Sequence, residues 1–341
     1  MEKLFKYINS NDNNKISNFN RFELLKLLEL LNSYKLQLRD EINLPKNKNI
    51  TFGLEVETEN ASLSRIKNEL TNLLDNFIYN MELFHLDNYE CWNLVYDVSL
   101  VNGCELVSPI LNDDINMWKE LKKILKIMDK YSNIGERSSS HIHVGIDIIN
   151  EKEKYWNNFY KLWLTYENIL FRFLYGEYLG GRPKIDTFAA NVVERFKEKI
   201  NESPKDINFI DIMNKLLYRK NSALHFKDNK NSGELTTLEF RCPNGTLNPV
   251  VWQNNVNLVT KLLLYSASDN FDDDLINYRY KKINNLDLTL SNYNEIFLEQ
   301  VLEFSDLIFT NNLDKMYFLK QYLKDFDISN KPMVKAKKFT I

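Results

Sequence analysis

Glycine and proline are both scarce in this sequence of 341 residues, which has nine glycines and seven prolines. Their scarcity predicts long helices and few tight loops, and it leaves little material for a phosphate-binding loop built from glycine. Neither GxxxxGKS, GxxxxGKT nor GxGxxG occurs. The P-loop and the Rossmann dinucleotide site therefore have no support in the sequence.

Cysteine is also rare, and no long apolar run is present. The cysteines Cys91, Cys104 and Cys242 form no CxxC pair, so we expect buried thiols rather than a disulfide framework or a zinc ribbon. No stretch of about 18 apolar residues occurs, and the first residues lack the apolar segment of a signal peptide. These absences predict a cytoplasmic protein with no membrane partner.

Neither sign of charge dominates the chain. It has 44 Lys and Arg against 47 Asp and Glu, a net charge of −3, so no basic surplus favours nucleic acid as a partner. Hydrophobic residues make up 44% and charged residues 27%, as in ordinary globular proteins. At about 150 residues per domain, the length allows one large or two modest domains.

Hydrophobic spacing divides the chain into three parts. Apolar residues at helical spacing predict a helical lead-in over residues 1–45 and a helical extension over residues 271–341. Between them, residues 46–270 mix helical patterns with the alternating patterns of strands. An aromatic stripe over residues 156–173 is typical of a helix buried in the core. The sequence therefore predicts an α+β fold with helical N- and C-terminal extensions.

The sequence also predicts where two helices of the central part begin or end. Apolar residues spaced over 66–77 predict one helix. Those over 118–128 predict another, and Asn112 and Asp113 offer oxygens that could cap its first turn.

Ionisable residues recur on the strand-like segments, either two apart or singly among apolar neighbours. In a strand, residues i and i+2 point to the same face, about 6–7 Å apart, so each such pair projects together. If these strands form one sheet, the ionisable residues share a concave face while Val56, Ile142 and Phe240 pack against helices behind it. The residues of this face are Glu55, Glu57, Glu105, His141, His143, Glu239 and Arg241.

Four carboxylates on one face repel one another unless cations neutralise them. Carboxylate oxygens with one or two imidazoles suit Mg²⁺ or Mn²⁺, and two such ions about 3.5–4 Å apart can clamp a phosphoryl group. The planar guanidinium of Arg241 is suited to phosphate oxygens or to a substrate carboxylate. This combination predicts a divalent-metal site for phosphoryl chemistry.

Each of these pairs also has a purely structural explanation. Glu55 and Glu57 could form the solvent face of a half-buried strand, and Glu239 with Arg241 could be a simple salt bridge. The two histidines in HIH are more selective, because the chain has only four histidines, and they could contact metal or phosphate. The functional interpretation rests on the co-occurrence of all the pairs.

Five motifs in a fixed order resemble the amidoligase family, a branch of the carboxylate-amine ligases related to glutamine synthetase and glutamate-cysteine ligase. The resemblance spans about residues 50–265 and is specific because the order is kept. The motifs are FGLEVE (52–57), DVSL (97–100) with ELVSPIL (105–111), HIHVG (141–145), TLEFR (237–241) and NGTL (244–247).

The resemblance implies that residues 46–270 form a glutamine-synthetase-like catalytic domain. Its curved antiparallel sheet would carry helices on the outer face and would hold ATP with two or more Mg²⁺ or Mn²⁺ ions on the concave face. The ligands that the resemblance implies are Glu55, His143 and Glu239 for the ion nearer the nucleotide phosphates, and Glu57 and Glu105 for the other ion.

The same resemblance assigns roles to further residues. Arg241 would contact the γ-phosphate or an acyl phosphate, and Asp97 would lie near the incoming amine. Arg182 and Lys220 are implied as nucleotide contacts, and His141 as a nucleotide contact or a support for the metal ligands. Lys220 opens the segment KNSALH, in which His225 stands where the family often has asparagine.

The implied reaction is an ATP-dependent ligation in two steps, with Glu57, Asp97 and Arg241 as catalytic residues. A substrate carboxylate attacks the γ-phosphate to give ADP and an acyl phosphate, and an amine then displaces phosphate to form an amide or isopeptide bond. Free amino acids, peptides or proteins could supply both groups, and the sequence leaves the oligomeric state open. The alternatives are a guanidino-kinase-like phosphotransferase on the same fold, an inactive nucleotide- or peptide-binding relative, and a metal-dependent hydrolase that needs no ATP.

Overall fold

The computed structural model describes residues 15–33, 35–80, 90–174, 188–202, 208–228, 234–283 and 295–322. In these ranges the chain has both helices and a sheet, which confirms the predicted α+β class. The strands are β1 (Phe52–Thr58), β2 (Phe77–Asn80), β3 (Trp92–Asp97), β4 (Gly103–Val107), β5 (Ser140–Gly145), β6 (Leu224–Asp228) and β7 (Leu235–Phe240). The helices that come after the short 3₁₀ turn Ile16–Asn18 are α1 (Arg21–Ser33), α2 (Leu63–Leu73), α3 (Ile115–Tyr131), α4 (Asp147–Asn150), α5 (Glu153–Leu174), α6 (Val192–Glu202), α7 (Phe209–Leu217), α8 (Pro249–Ser266), α9 (Asp273–Ile283), α10 (Glu295–Ile308) and α11 (Asn312–Tyr322).

The strands form one sheet in the order β2-β3-β4-β1-β5-β7-β6. Every neighbouring pair is antiparallel except β2 and β3, which run parallel at one edge. The predicted antiparallel sheet is therefore confirmed in the main, with one parallel pair that the sequence did not indicate. Strand β1, which carries two of the predicted acidic residues, lies in the centre of the sheet, between β4 and β5.

One face of the sheet is apolar and packs against helices. Leu54, Val56 and Ile142 on this face are fully buried. At one end, Phe52 stacks on Trp118 of α3 with ring centroids 5.8 Å apart. Toward the other, Phe240 contacts the aromatic stripe of α5, which lies in the core as the sequence predicts. Because side chains alternate along a strand, this packing turns the ionisable residues of the same strands to the opposite face.

Two of the predicted helix limits are wrong. Helix α2 ends at Leu73, and Phe77 belongs to β2 instead of completing the helical stripe. Helix α3 is capped by Asp114, whose carboxylate accepts hydrogen bonds from the next turn. Asp113 instead accepts a hydrogen bond from Trp118 Nε1 at 2.9 Å and others from the backbone nitrogens of Ile42 and Leu44. Neighbouring acidic residues thus divide between capping and tertiary contacts, which spacing alone does not distinguish.

The N- and C-terminal segments pack on each other through buried carboxylates. Asp306 of α10 accepts hydrogen bonds from the backbone nitrogens of Ile16 and Ser17. Asp314 of α11 pairs with Arg39 at 2.6 Å and accepts a hydrogen bond from Asn257 of α8 at 2.8 Å. The domain limits at residues 45 and 270 stay a prediction, and the described parts of both extensions contact the central helices. None of the described helices combines the length and the apolar character needed to cross a bilayer.

Candidate functional site

The strand register brings six of the predicted site residues onto one face of the sheet. Glu57 of β1 lies opposite Glu105 of β4. On the other side of β1, Glu55 lies opposite His141 of β5. Directly opposed residues of an antiparallel pair project to the same side. His143 is in turn opposite Glu239 of β7, so the face continues across four adjacent strands.

Glu55 is the centre of the first cluster. Its carboxylate lies 2.7 Å from His141 Nδ1 through Oε2 and 2.8 Å from His143 Nε2 through Oε1. Glu239 Oε1 lies 3.5 Å from His141 Nδ1. One oxygen or nitrogen from each of Glu55, His141 and Glu239 falls within 4.8 Å of the others, so one cation could contact all three.

Glu57 and Glu105 form a second cluster with the other side of His141. Glu57 Oε1 lies 3.7 Å from His141 Nε2. Its second oxygen accepts hydrogen bonds from the Ser139 backbone nitrogen at 2.7 Å and from the Ser139 hydroxyl at 2.5 Å. That hydroxyl also lies 2.9 Å from His141 Nε2. Ligand atoms of Glu57, Glu105 and His141 again lie within 4.8 Å of one another.

The two clusters differ in how their charge is neutralised. Burial raises the pKa of Glu105 well above its ordinary value, and the carboxylates of Glu55 and Glu57 raise it further. Burial also opposes ionisation of Glu55, but His143 and His141 outweigh it and hold the pKa of Glu55 well below the ordinary value. The Glu57–Glu105 cluster is thus the part of the face where a cation would relieve the most repulsion.

Glu239 is fully buried and has two cationic neighbours. Arg241 Nη1 donates a short hydrogen bond to Glu239 Oε1, and Lys227 Nζ lies 3.3 Å from Oε2. Burial opposes the ionisation of Glu239, yet His143, His141 and Arg241 lower its pKa below the ordinary value. In the described part of the chain, Glu239 Oε2 has the ion pair with Lys227 but no hydrogen bond, and the buried Arg241 Nε has no hydrogen-bond partner.

Three other predicted residues lie apart from these clusters or outside the description. Asp97 ends β3 opposite Gly103, and its carboxylate accepts a hydrogen bond from Ser99 N at 2.7 Å. Its charge contributes to the raised pKa of Glu105, after burial and the nearer glutamates. Lys220 is exposed in the turn before β6. Arg182 lies outside the described residues.

The sequence predicts no role for three residues of the site. Lys227 and His225 lie on β6, a short strand that was not predicted, and His225 is opposite Glu239. His225 donates its Nδ1 proton to the Leu217 carbonyl at 3.0 Å, and burial lowers its pKa. Ser139 precedes β5 in a polar SSS run. No sequence pattern indicates a role for its small polar side chain, and only the strand register places that side chain beside Glu57.

The donor set fits hard divalent cations. Carboxylate oxygens with imidazole nitrogens suit Mg²⁺ or Mn²⁺ better than softer metals, which favour thiolates. The three cysteines of the chain are free and buried, and none of them belongs to either cluster. Among the described residues, Arg241 Nε has no hydrogen-bond partner, so it provides a donor for an anion beside the carboxylates that could bind a cation.

The fold and the site define a mixed α+β protein with an acidic, histidine-containing sheet face that could hold metal ions. Residues 48–263 match the family model described as "putative amidoligase enzyme". Because the match covers more than half of the chain, the protein belongs to this family, as the motifs predict. Membership in the family supports ligase activity for this protein. Comparison with curated proteins gives no match. Both clusters, Arg241 and Lys227 lie within the matched range.

Proposed function

We propose that this protein is an ATP-dependent carboxylate-amine ligase with a glutamine-synthetase-like catalytic domain. It joins a carboxylate and an amine through an acyl phosphate and requires two or more divalent cations. The observation that carries this proposal is the pair of adjacent clusters on one sheet face, Glu55–His141–Glu239 and Glu57–Glu105–His141. Membership in the amidoligase family supplies the reaction class.

The metal ligands in this proposal correspond to the two clusters. Glu55 and Glu239, with an imidazole from HIH, would hold one ion, and Glu57 and Glu105 would hold the other. His141 lies between the clusters, so it is a candidate ligand as well as a support for nucleotide binding, whereas the motif resemblance placed only His143 among the ligands. Bound divalent ions would neutralise the phosphate charges and polarise the phosphorus toward attack.

The residues of the chain then have distinct tasks in the first step. Arg241 would contact the transferring phosphoryl group through nitrogens that Glu239 leaves free, since its buried Nε has no hydrogen-bond partner among the described residues. A guanidinium at this place stabilises charge on the phosphoryl oxygens as the substrate carboxylate attacks. The bond to the γ-phosphorus forms while the bond to the ADP oxygen breaks, and ADP leaves.

In the second step the amine attacks the acyl carbon and phosphate leaves. The attacking nitrogen must lose a proton, and a carboxylate near it can accept that proton. Asp97 is our candidate, because it lies at the end of β3 on the Glu57–Glu105 side of the face and is partly exposed. The substrates are an acid and an amine of small-molecule, peptide or protein origin.

Incubation with ATP, Mg²⁺ and a mixed pool of amino acids and peptides tests the proposal. We expect ADP and a product whose mass equals acid plus amine less one water. A product that gains only a phosphoryl group would identify a phosphotransferase, and release of AMP would indicate an adenylate instead of an acyl phosphate. Glu239→Gln is the matched inactive control, since it keeps the shape of the side chain and removes its charge.

A further inference from the structure

Lys227 reaches the acidic face from the edge of the sheet. It comes two residues after His225 on β6, so both side chains lie on the face that carries Glu239. Its ammonium lies 3.3 Å from Glu239 Oε2, and 41% of its side chain is exposed while the Glu239 side chain is 0% exposed. The charged end therefore points inward from a partly solvated position.

The cationic charge of the face is concentrated on one carboxylate. Glu239 pairs with both Lys227 and Arg241. In the described part of the chain, neither Glu57 nor Glu105 forms an ion pair with a lysine or an arginine. Glu57 is instead held by the backbone and hydroxyl of Ser139. The two clusters are thus unequal, because only one of them carries built-in cations.

Whether a divalent ion can bind Glu239 depends on how easily the cationic side chain already paired with it can move away. A buried carboxylate must stay paired, since leaving it without a partner is strongly destabilising. A divalent ion on Glu239 can replace an ammonium as the partner, and the two positive charges then repel each other. Lysine has a compact charge on a flexible four-carbon stem, so it can withdraw to a nearby anion. The edge position of β6 leaves solvent-side room for that movement.

We propose that Lys227 is a further residue of this site, an exchangeable counter-cation that neutralises Glu239 until a divalent ion binds there and that then contacts a phosphoryl oxygen of the nucleotide. This inference rests on the proposed function, because it needs a divalent ion and a nucleotide on the same face. Exchange couples the two ligands: the ion binds Glu239 more easily when phosphate is present to receive the ammonium. A purely structural ion pair would show no such coupling.

The test is direct measurement of Mn²⁺ and nucleotide binding to wild type and Lys227→Met. Free Mn²⁺ is monitored by its paramagnetic resonance signal in the absence of nucleotide. A single charge a few ångströms away, partly screened by solvent, changes ion affinity by about tenfold. We expect Lys227→Met to bind Mn²⁺ about tenfold more tightly than wild type. Nucleotide binding at saturating Mn²⁺, measured with ADP by equilibrium dialysis, should weaken by about the same factor.

Two control variants make the result specific. Lys215→Met removes an exposed lysine of α7 and should leave both affinities unchanged. Lys227→Arg keeps the charge and should keep Mn²⁺ binding near the wild-type level. Unchanged Mn²⁺ affinity in Lys227→Met, or unchanged ADP affinity, would overturn the exchange. A wild-type protein that binds no Mn²⁺ would overturn this inference and the metal-dependent function together. Normal exchange without ADP formation from ATP would refute only the ligase.

Discussion

Ser139→Ala is expected to weaken divalent-ion binding although it removes none of the candidate metal ligands. Ser139 is buried, and its hydroxyl donates to Glu57 Oε2 at 2.5 Å while lying 2.9 Å from His141 Nε2. A hydrogen bond to a charged group contributes about 1.5–3 kcal/mol. The backbone nitrogen of Ser139 still donates to the same oxygen at 2.7 Å, so the loss should fall at the lower end. At about 1.4 kcal/mol per tenfold, the expected loss of Mn²⁺ affinity is about tenfold, within the range known for residues that orient metal ligands.

The neighbouring serine provides the matched control. Ser140 is equally buried but belongs to the apolar face, opposite Val56, and its hydroxyl has no hydrogen-bond partner among the described residues. Ser140→Ala should therefore leave Mn²⁺ affinity unchanged, whether measured by titration calorimetry or by the paramagnetic signal of free Mn²⁺. Equal affinities for Ser139→Ala and wild type would refute the idea that this hydroxyl orients Glu57 and His141. A loss of the same size in Ser140→Ala would show that the effect comes from altered packing.

Three more predictions concern the reaction and the fold. Glu239→Gln should reduce ADP formation at least a hundredfold while the melting curve stays cooperative, and wild-type turnover in this variant would remove Glu239 from the site. Arg241→Lys keeps the charge but loses the two-pronged guanidinium, so kcat should fall sharply while Mn²⁺ still binds; an unchanged kcat would exclude a role in phosphoryl transfer. Glu167 is buried and accepts hydrogen bonds from Val192 N and Val193 N, yet burial raises its pKa to about 7. A folded-state pKa above the unfolded value means that the native state binds more protons, so this residue makes the free energy of unfolding fall between pH 5 and pH 8, by about 2–3 kcal/mol. Denaturant titrations should show that fall in wild type but not in Glu167→Gln, and parallel pH profiles would contradict it.

Alternation along single strands was sufficient to predict which residues share a face. Glu55 and Glu57 are two apart on β1, and Val56 between them is fully buried on the other side. The same rule holds for His141 and His143 around Ile142. This pattern is local, so it can be read before the fold is known.

The order of the strands and their register could not be derived in the same way. That β1 lies between β4 and β5, so that Glu105 and His141 flank it, depends on contacts between segments far apart in the sequence. Alternation predicts a shared ionisable face only on the condition that the strands form one sheet. Family resemblance, not periodicity, supplied the expectation that they do.

The residues that were missed lie where the local signals are weakest. Lys227 and His225 belong to a five-residue strand, LHFKD, that is too short to stand out by alternation, and so their shared face with Glu239 was not foreseen. Ser139 became visible as a partner of Glu57 only through a hydrogen bond across 82 residues of sequence. Short elements and small polar side chains gain their roles from tertiary packing.

We infer that the two clusters bind the metal ions for ATP-driven formation of an amide bond between an acid and an amine. This inference is tested by mass spectrometry of nucleotides and products after incubating the protein with ATP, Mg²⁺ and pooled acids and amines, alongside a sample with excess chelator. We expect equal amounts of ADP and of a product lighter by one water than its acid and amine together, both lost with chelator. ADP formation that persists in chelator, or no condensed product while Mg²⁺ and ATP are present, would contradict the inference.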